Sequence, residues 1–203
     1  TKGYWMGTFS VTQQQWLNVI SEYPLGAGTQ NYNNANKTIA VHEVTWEDIR
    51  GTSATHNWPT VTTIGAGSFM GNLSAKTGLN FDLPTEAQWE HAAKAGTTTL
   101  WSYGNVDDAN YMWYDNNSPG IHEVGGKSPN PWGLYDIHGN IYDWCLDWFD
   151  PIYTSTPKTD PSGPTSGTER SRRGGYSGDP STSTYSSFRS KSGPNFQSFG
   201  IGF

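Results

Sequence analysis

The sequence predicts a loop-rich α+β fold with two to three short amphipathic helices and short antiparallel strands, and three observations predict it. Helix starts capped by threonine fall in the first half of the chain. From Trp101 onward the helical period is lost, and Asn, Asp, Gly and Pro cut the chain into short apolar pieces. Aromatics make up 14% of a chain whose hydrophobic content is only 33%, so the core must be built largely of rings, each of which removes about 150–250 Å² from water when buried. At 203 residues the chain has the size of one domain, taken as 1–203.

The helix starts are "TQQQ" from Thr12, "TWED" from Thr45 and "TEAQ" from Thr85. In each, the threonine oxygen can accept from a free backbone N–H while the polar side chain three residues on reaches back. Trp16, Val19 and Ile20 then share one helical face, as do Trp89, Ala92 and Ala93. Gly96 is placed to stop the helix after Thr85. A further helix is expected over about 67–74, separated from Thr45 by the Gly/Thr/Pro-bearing loop "GTSATHNWPTVTTIGAG". Short strands are expected at "LYDI" and "IYDWCLDWF".

Composition excludes several classes of function. Net charge is −6 and the largest basic cluster is "ERSRR" at 169–173, so there is no nucleic-acid footprint. The single cysteine, Cys145, lies in the apolar run "YDWCLDWF"; it excludes an internal disulfide or a thiolate metal cluster and reads as a buried, inert thiol. No run approaches the ~18 apolar residues of a membrane span. A chain that begins at Thr1 leaves room for an upstream signal or domain, so cell-surface, extracellular and virion settings are all compatible.

The last thirty residues hold eight serines and six glycines, while all ten tryptophans lie between Trp5 and Trp148. The scaffold is therefore expected upstream, with the tail laid over it.

Four blocks in order, "YWMGTFSVTQQQW", "LPTEAQWEHAAKAG", "SPNPWGLYDIHGNIYDWCLDWF" and "RRGGYS" with Arg189, Pro194 and "IGF", resemble the formylglycine-generating-enzyme (sulfatase-modifying factor) family. That resemblance implies a C-type lectin-like fold. Enzymatic members carry two cysteines near the C-terminus that bind copper and attack a substrate thiol. The corresponding positions here fall near Thr184 and Arg189, and a hydroxyl cannot replace a soft thiolate on Cu(I). Related sulfoxide synthases use a His-rich iron site, whereas His42, His56, His91, His122 and His138 include no pair spaced by three or four. Neither copper nor iron is expected, although His91 and His138 could still meet in space.

The tail is also similar to those of the variable proteins of diversity-generating retroelements, which display a hypermutated C-terminal face on the same fold. Randomised AAY codons cannot encode Lys, Gln, Glu, Met or Trp, and from 176 to 200 only Lys191 and Gln197 fall outside the reachable set. The resemblance implies a non-catalytic, receptor- or adhesin-like protein with a variable ligand-binding region over 174–203. Its binding positions would be Tyr176, Ser177, Gly178, Asp179, Pro180, Thr182, Ser183, Thr184, Tyr185, Phe188, Asn195, Phe196, Ser198 and Phe199, with Arg189, Pro194 and Ile201 as framework. Tyr and Phe supply rigid contact area while Ser, Gly and Asn adapt their hydrogen bonds, so a protein ligand is expected. An oxidase-type enzyme, a fixed-specificity adhesin and an ordinary polar loop are the alternatives.

The same resemblance implies a structural calcium ion held by the side chains of Asp136 and Asp143 and the carbonyls of Gly139 and Ile141, oxygen donors that suit a hard cation. The alternative is that both carboxylates cap turns or pair with Arg173 or Lys127. A second family site would use Asn110 and Tyr111 with Asp115 or Asn116.

Overall fold

The computed structural model describes residues 3–24, 38–117, 120–152 and 156–203. Four helices form in the first half: α1 (Gln13–Ile20), α2 (Trp46–Arg50), α3 (Phe69–Thr77) and α4 (Glu86–Lys94). Thr12, Thr45 and Thr85 each cap a helix reciprocally with Gln15, Asp48 and Gln88, so all three predicted starts are used. Helix α3 begins after its Ser68 cap and runs to Thr77, slightly beyond the expected 74. Helix α4 ends at Lys94, two residues before Gly96, because Ala95 itself takes the left-handed conformation as its C-cap. The count exceeds two to three because α2 is a single short turn-and-a-half of five residues.

Four strands follow: β1 (Tyr142–Trp148), β2 (Arg170–Arg173), β3 (Ser190–Ser192) and β4 (Ile201–Gly202). They form one sheet in the order β3-β2-β1-β4. The β1/β2 and β2/β3 pairs are antiparallel, but β4 pairs with β1 in parallel, Tyr142 opposite Ile201. The tail thus leaves β2, adds β3 on one side of it, and returns to close the far edge of β1. "LYDI" is not a strand, because Asp136 sits at φ 55° and breaks the extended run. "ERSRR", read from sequence as a charge cluster, supplies β2 instead.

The main core gathers Trp16, Trp46, Ile49, Phe69, Trp144, Leu146, Ile201 and Phe203. Two indole N–H groups inside it are satisfied by backbone: Trp46 Nε1 donates to Cys145 O and Trp144 Nε1 to Val44 O, both at 3.0 Å. Trp89, Ala93, Ile137 and Cys145 form a second cluster behind β1, and Trp101, Met112 and Tyr114 a third beneath the tail. Cys145 is fully buried, and burial raises its thiol pKa well above the ordinary value. The 50–66 loop is organised around the buried Arg50, whose Nε donates to Asp82 at 2.9 Å while its terminal nitrogens reach loop carbonyls. Among the described residues no helix is long and apolar enough to cross a membrane.

Candidate ligand face and metal centre

The tail departs from β2 through Gly174 and Gly175. Gly175 has φ 79°, and a Cβ there would lie 2.7 Å from Ser183 O, so only glycine lets the tail fold back this closely. The short 3-10 turn Ser181–Thr184 then docks on the third cluster. Thr184 Oγ1 accepts from Trp101 Nε1 at 2.8 Å and donates to Ser181 O. His138 Nδ1 lies 2.9 Å from Thr184 O, and its Nε2 accepts from Ser102 N–H at 3.2 Å. That arrangement requires a neutral ring with the proton on Nδ1, consistent with burial lowering the His138 pKa to about 4.

A buried charge network fixes the second half of the tail. Glu86, in the first turn of α4, accepts from Arg189 Nε and Nη2 at 2.6 Å and from Ser171 Oγ at 2.9 Å. Arg173 lies 3.5 Å from the same carboxylate, pairs with Glu90 and donates to Phe188 O. Arg189 also reaches Asp150 O and covers the Phe149 ring. Arg189 and Ile201 therefore sit where framework residues would, Ile201 fully buried in the sheet and Pro194 half-buried with its carbonyl accepting from Glu47 N–H.

The fourteen tail positions fall into three layers. Gly178, Pro180, Thr182, Asn195 and Phe196 are exposed, and Phe196 projects with 49% of its surface free. Tyr176, Asp179, Ser183, Tyr185, Phe188, Ser198 and Phe199 are half-buried. Ser177 and Thr184 are fully buried, which takes their side chains out of reach of a partner. The aromatics mostly hold the tail down: Tyr176 and Phe188 pack on the main core, Tyr185 meets Trp101 edge-on at 4.7 Å, and Phe199 leans on His42 at 4.9 Å.

The calcium candidates lie together in the "DIHGNIYD" turn at the mouth of β1. Asp136 Oδ2 accepts from Gly125 N–H at 2.6 Å, while its Oδ1 is buried and has no partner among the described residues. Asp143 Oδ2 accepts from Trp89 Nε1 at 2.9 Å and Oδ1 from Ser10 Oγ at 3.4 Å. The Gly139 carbonyl accepts from Ile141 N–H, and Gly139 must be glycine because a Cβ would lie 2.0 Å from Trp113 O. Burial pushes the pKa of Asp136 and of Asp143 up to about 6, and the Asp136 charge raises Asp143 further. The orphaned Asp136 oxygen and the buried Asp143 carboxylate are of the donor type that suits a hard cation. No three His, Cys, Asp or Glu side chains converge among the described residues, so backbone carbonyls would have to share in holding an ion. At the second set of positions, Asn110 O already accepts from Ser128 N–H, and Asp115 N–H is spent on Asp179 O.

Thr184 and Arg189, near the positions where the family's enzymes carry cysteines, are absorbed in holding the tail. His91 and His138 do not meet: His91 bonds Tyr4 and abuts Trp132, whereas His138 serves Ser102 and Thr184. Sequence reasoning missed Arg172. Of the three arginines on β2, Arg170 and Arg173 are fully buried, whereas Arg172 is half-buried, its guanidinium 4.2 Å from the centre of the Tyr142 ring. No sequence signal singled it out: an Arg-rich run does not look like a strand, and the burial along β2 does not alternate.

Residues 1–203 match the family described as "Sulfatase-modifying factor enzyme 1-like domain". The formylglycine-generating enzyme of Thermomonospora curvata is 33% identical over 121 residues, covering 46% of this chain and 37% of that enzyme. A serine/threonine-protein kinase pkn1 of Chlamydia pneumoniae is 41% identical over 101 residues, covering 46% of this chain and 15% of the kinase. The chain thus spans well under half the length of these relatives. Among solved structures, Treponema denticola variable protein 1 superposes with a TM-score of 0.74 at 27% identity, over 96% of this chain and 80% of that one. PvdO from Pseudomonas aeruginosa shares the fold, with a TM-score of 0.77 at 21% identity over 97% of this chain and 77% of that one. By fold, by sequence over its whole length and by the arrangement of its tail, the chain belongs to the sulfatase-modifying factor enzyme 1-like domain family, with the C-type lectin-like α+β architecture.

Proposed function

We propose that the chain is a non-catalytic ligand-binding protein, the variable protein of a diversity-generating retroelement, in which residues 1–203 form one domain and 174–203 present the ligand face to a protein partner. The observation that carries this reading is the layering of the tail. Side chains at Pro180, Thr182, Asn195 and Phe196 are exposed, while Glu86, Trp101 and the sheet hold the backbone beneath them. Likeness to Treponema denticola variable protein 1 supports the same reading. Changes at exposed positions cost within about 0.5 kcal/mol, so this layer can vary while the fold persists. A calcium ion at Asp136, Asp143, Gly139 and Ile141 would serve the fold by neutralising two buried carboxylates behind the face.

The second reading, an oxidase of the formylglycine-generating type, is favoured by the names of several relatives. Against it stands the tail without cysteine. Two measurements test the choice. Purified chain with copper, oxygen and a cysteine-bearing sulfatase peptide should yield no formylglycine above a no-protein control; turnover would restore the enzyme. Replacing Pro180, Thr182, Asn195 and Phe196 together by alanine should leave far-UV dichroism and Tm close to those of the parent, and unfolding would overturn the ligand-face reading; Gly178 is kept, because a Cβ there would lie 2.4 Å from the Tyr176 ring.

A further inference from the structure

A depression of about 150 Å³ lies between the sheet and the tail, lined by Tyr142, Arg172, Tyr176, Asp179, Ser198 and Gly200 over Ile201. It is smaller than the ~300–1,000 Å³ of small-molecule sites and has room for one side-chain head group. Arg172 is the unspent group in it. Its Nε donates to Ser190 Oγ at 3.1 Å and its plane lies on Tyr142, which fixes the guanidinium. Its two terminal nitrogens have no hydrogen-bond or ion-pair partner among the described residues, although Arg50, Arg173 and Arg189 all have carboxylates.

Asp179 shares the depression but is committed elsewhere. Its Oδ2 accepts from Tyr176 N–H at 3.3 Å, and it makes no ion pair with Arg172 within 4.0 Å among the described residues. Burial lowers the Arg172 pKa from the ordinary guanidinium value, against the opposite pull of Tyr142 and the Asp179 carboxylate, so the cation is already partly stripped of water and senses Asp179 without a direct bond to it. A fixed, partly desolvated guanidinium with both terminal nitrogens open presents the planar fork that matches a carboxylate bidentately.

We propose that this depression is the anchor site of the ligand face, and that it takes a carboxylate carried by an aspartate or glutamate side chain of the protein ligand. The proposal rests on the reading of the tail as a ligand face and adds the chemistry of one contact. Arg172 lies on β2, behind the tail, so it can hold the same acidic anchor whatever side chains the exposed layer carries.

The test titrates the full chain with N-acetyl-aspartate N-methylamide, up to about 0.1 M at constant ionic strength, while the arginine Nε–H and the backbone N–H resonances are followed by NMR. A saturable shift at the Arg172 Nε–H and at the backbone N–H groups of Tyr176 and Gly200 is expected, absent with the N-acetyl-asparagine N-methylamide analogue. Arg172→Gln should abolish the accompanying shifts of the Tyr176 and Gly200 backbone N–H resonances, which line the depression, and Arg172→Lys, which keeps the charge but loses the fork, should weaken the affinity they report by about tenfold. N-acetylalanine, whose carboxylate mimics a chain terminus, separates that source from a side chain by its weaker shift. No saturable shift in the parent, or the same shift with the asparagine analogue, overturns the site regardless of how the variants fold. If the four-alanine tail variant is folded and Arg172 ignores the carboxylate, this site fails and the ligand-face reading stands; if that variant unfolds, the ligand-face reading fails first.

Discussion

Asp147 shows what a single buried charge does to this fold. Its Oδ2 accepts from Glu86 N–H at 2.8 Å, at the first residue of α4, where an acceptor is needed to satisfy a free helix donor. Burial, reinforced by the Glu86 carboxylate, pushes the pKa up to about 7. Because the folded pKa exceeds the unfolded value, near 3.8, this group costs nothing at low pH; the cost grows as pH rises from about 4 to 7, where the unfolded chain ionises before the native one. Asp147→Asn keeps an acceptor and removes the charge. Its Tm should exceed the parent's at pH 7.5 and converge with it by about pH 4; a difference independent of pH would show that the carboxylate is not the cause. Ser177 illustrates a different residue-scale fact. Serine reads from sequence as a surface loop residue, yet its Oγ is buried without a partner among the described residues. Nothing in a serine's identity announces which side of a loop it faces.

Helix α4 is the element on which the tail hangs. Its capping box was legible in "TEAQ", because a cap depends on side chains three residues apart. Its second role was not, since the partners of Glu86, Arg189 and Ser171, are 103 and 85 residues away. Replacing Glu86 by glutamine leaves the cap and the helix but breaks a buried carboxylate from its arginines. Removing one partner of such a pair costs about 3–5 kcal/mol, so Tm should fall by roughly 10 °C while helix content is retained. A fall of less than about 2 °C would mean that the aromatic contacts of Tyr176, Tyr185 and Phe188 hold the tail by themselves. Strand β2 marks the opposite limit of legibility. Its two buried arginines are tolerated because Arg170 lies 3.4 Å and 4.0 Å from the centres of the Trp148 and Trp46 rings and Arg173 is paired, and no local pattern encodes those partners.

At the scale of the whole molecule, the architecture was legible through caps, aromatic content and the ordered blocks, while the closure of the sheet by a parallel β4 was not, because it depends on where the tail returns. If calcium occupies the Asp136 site, an ion at a hundredfold excess over Kd adds ~2.7 kcal/mol, and EGTA should lower Tm by about 5–10 °C. Asp136→Ala should erase that sensitivity; equal melting of the parent with calcium and with EGTA would return Asp136 and Asp143 to turn-forming roles. The tail begins at β2 and ends in the core, where Ile201 is fully buried, Phe203 meets Trp16 and Phe69 edge-on, and Val11 N–H donates to Phe203 O at 2.8 Å. A shifted reading frame anywhere between Tyr176 and Gly200 would scramble that wedge, leaving the β1 edge and the Trp16 ring uncovered. Ile201 and Phe203 thus act as a checksum on the segment before them: single replacements on the exposed layer leave both in register, whereas an insertion or deletion of bases cannot.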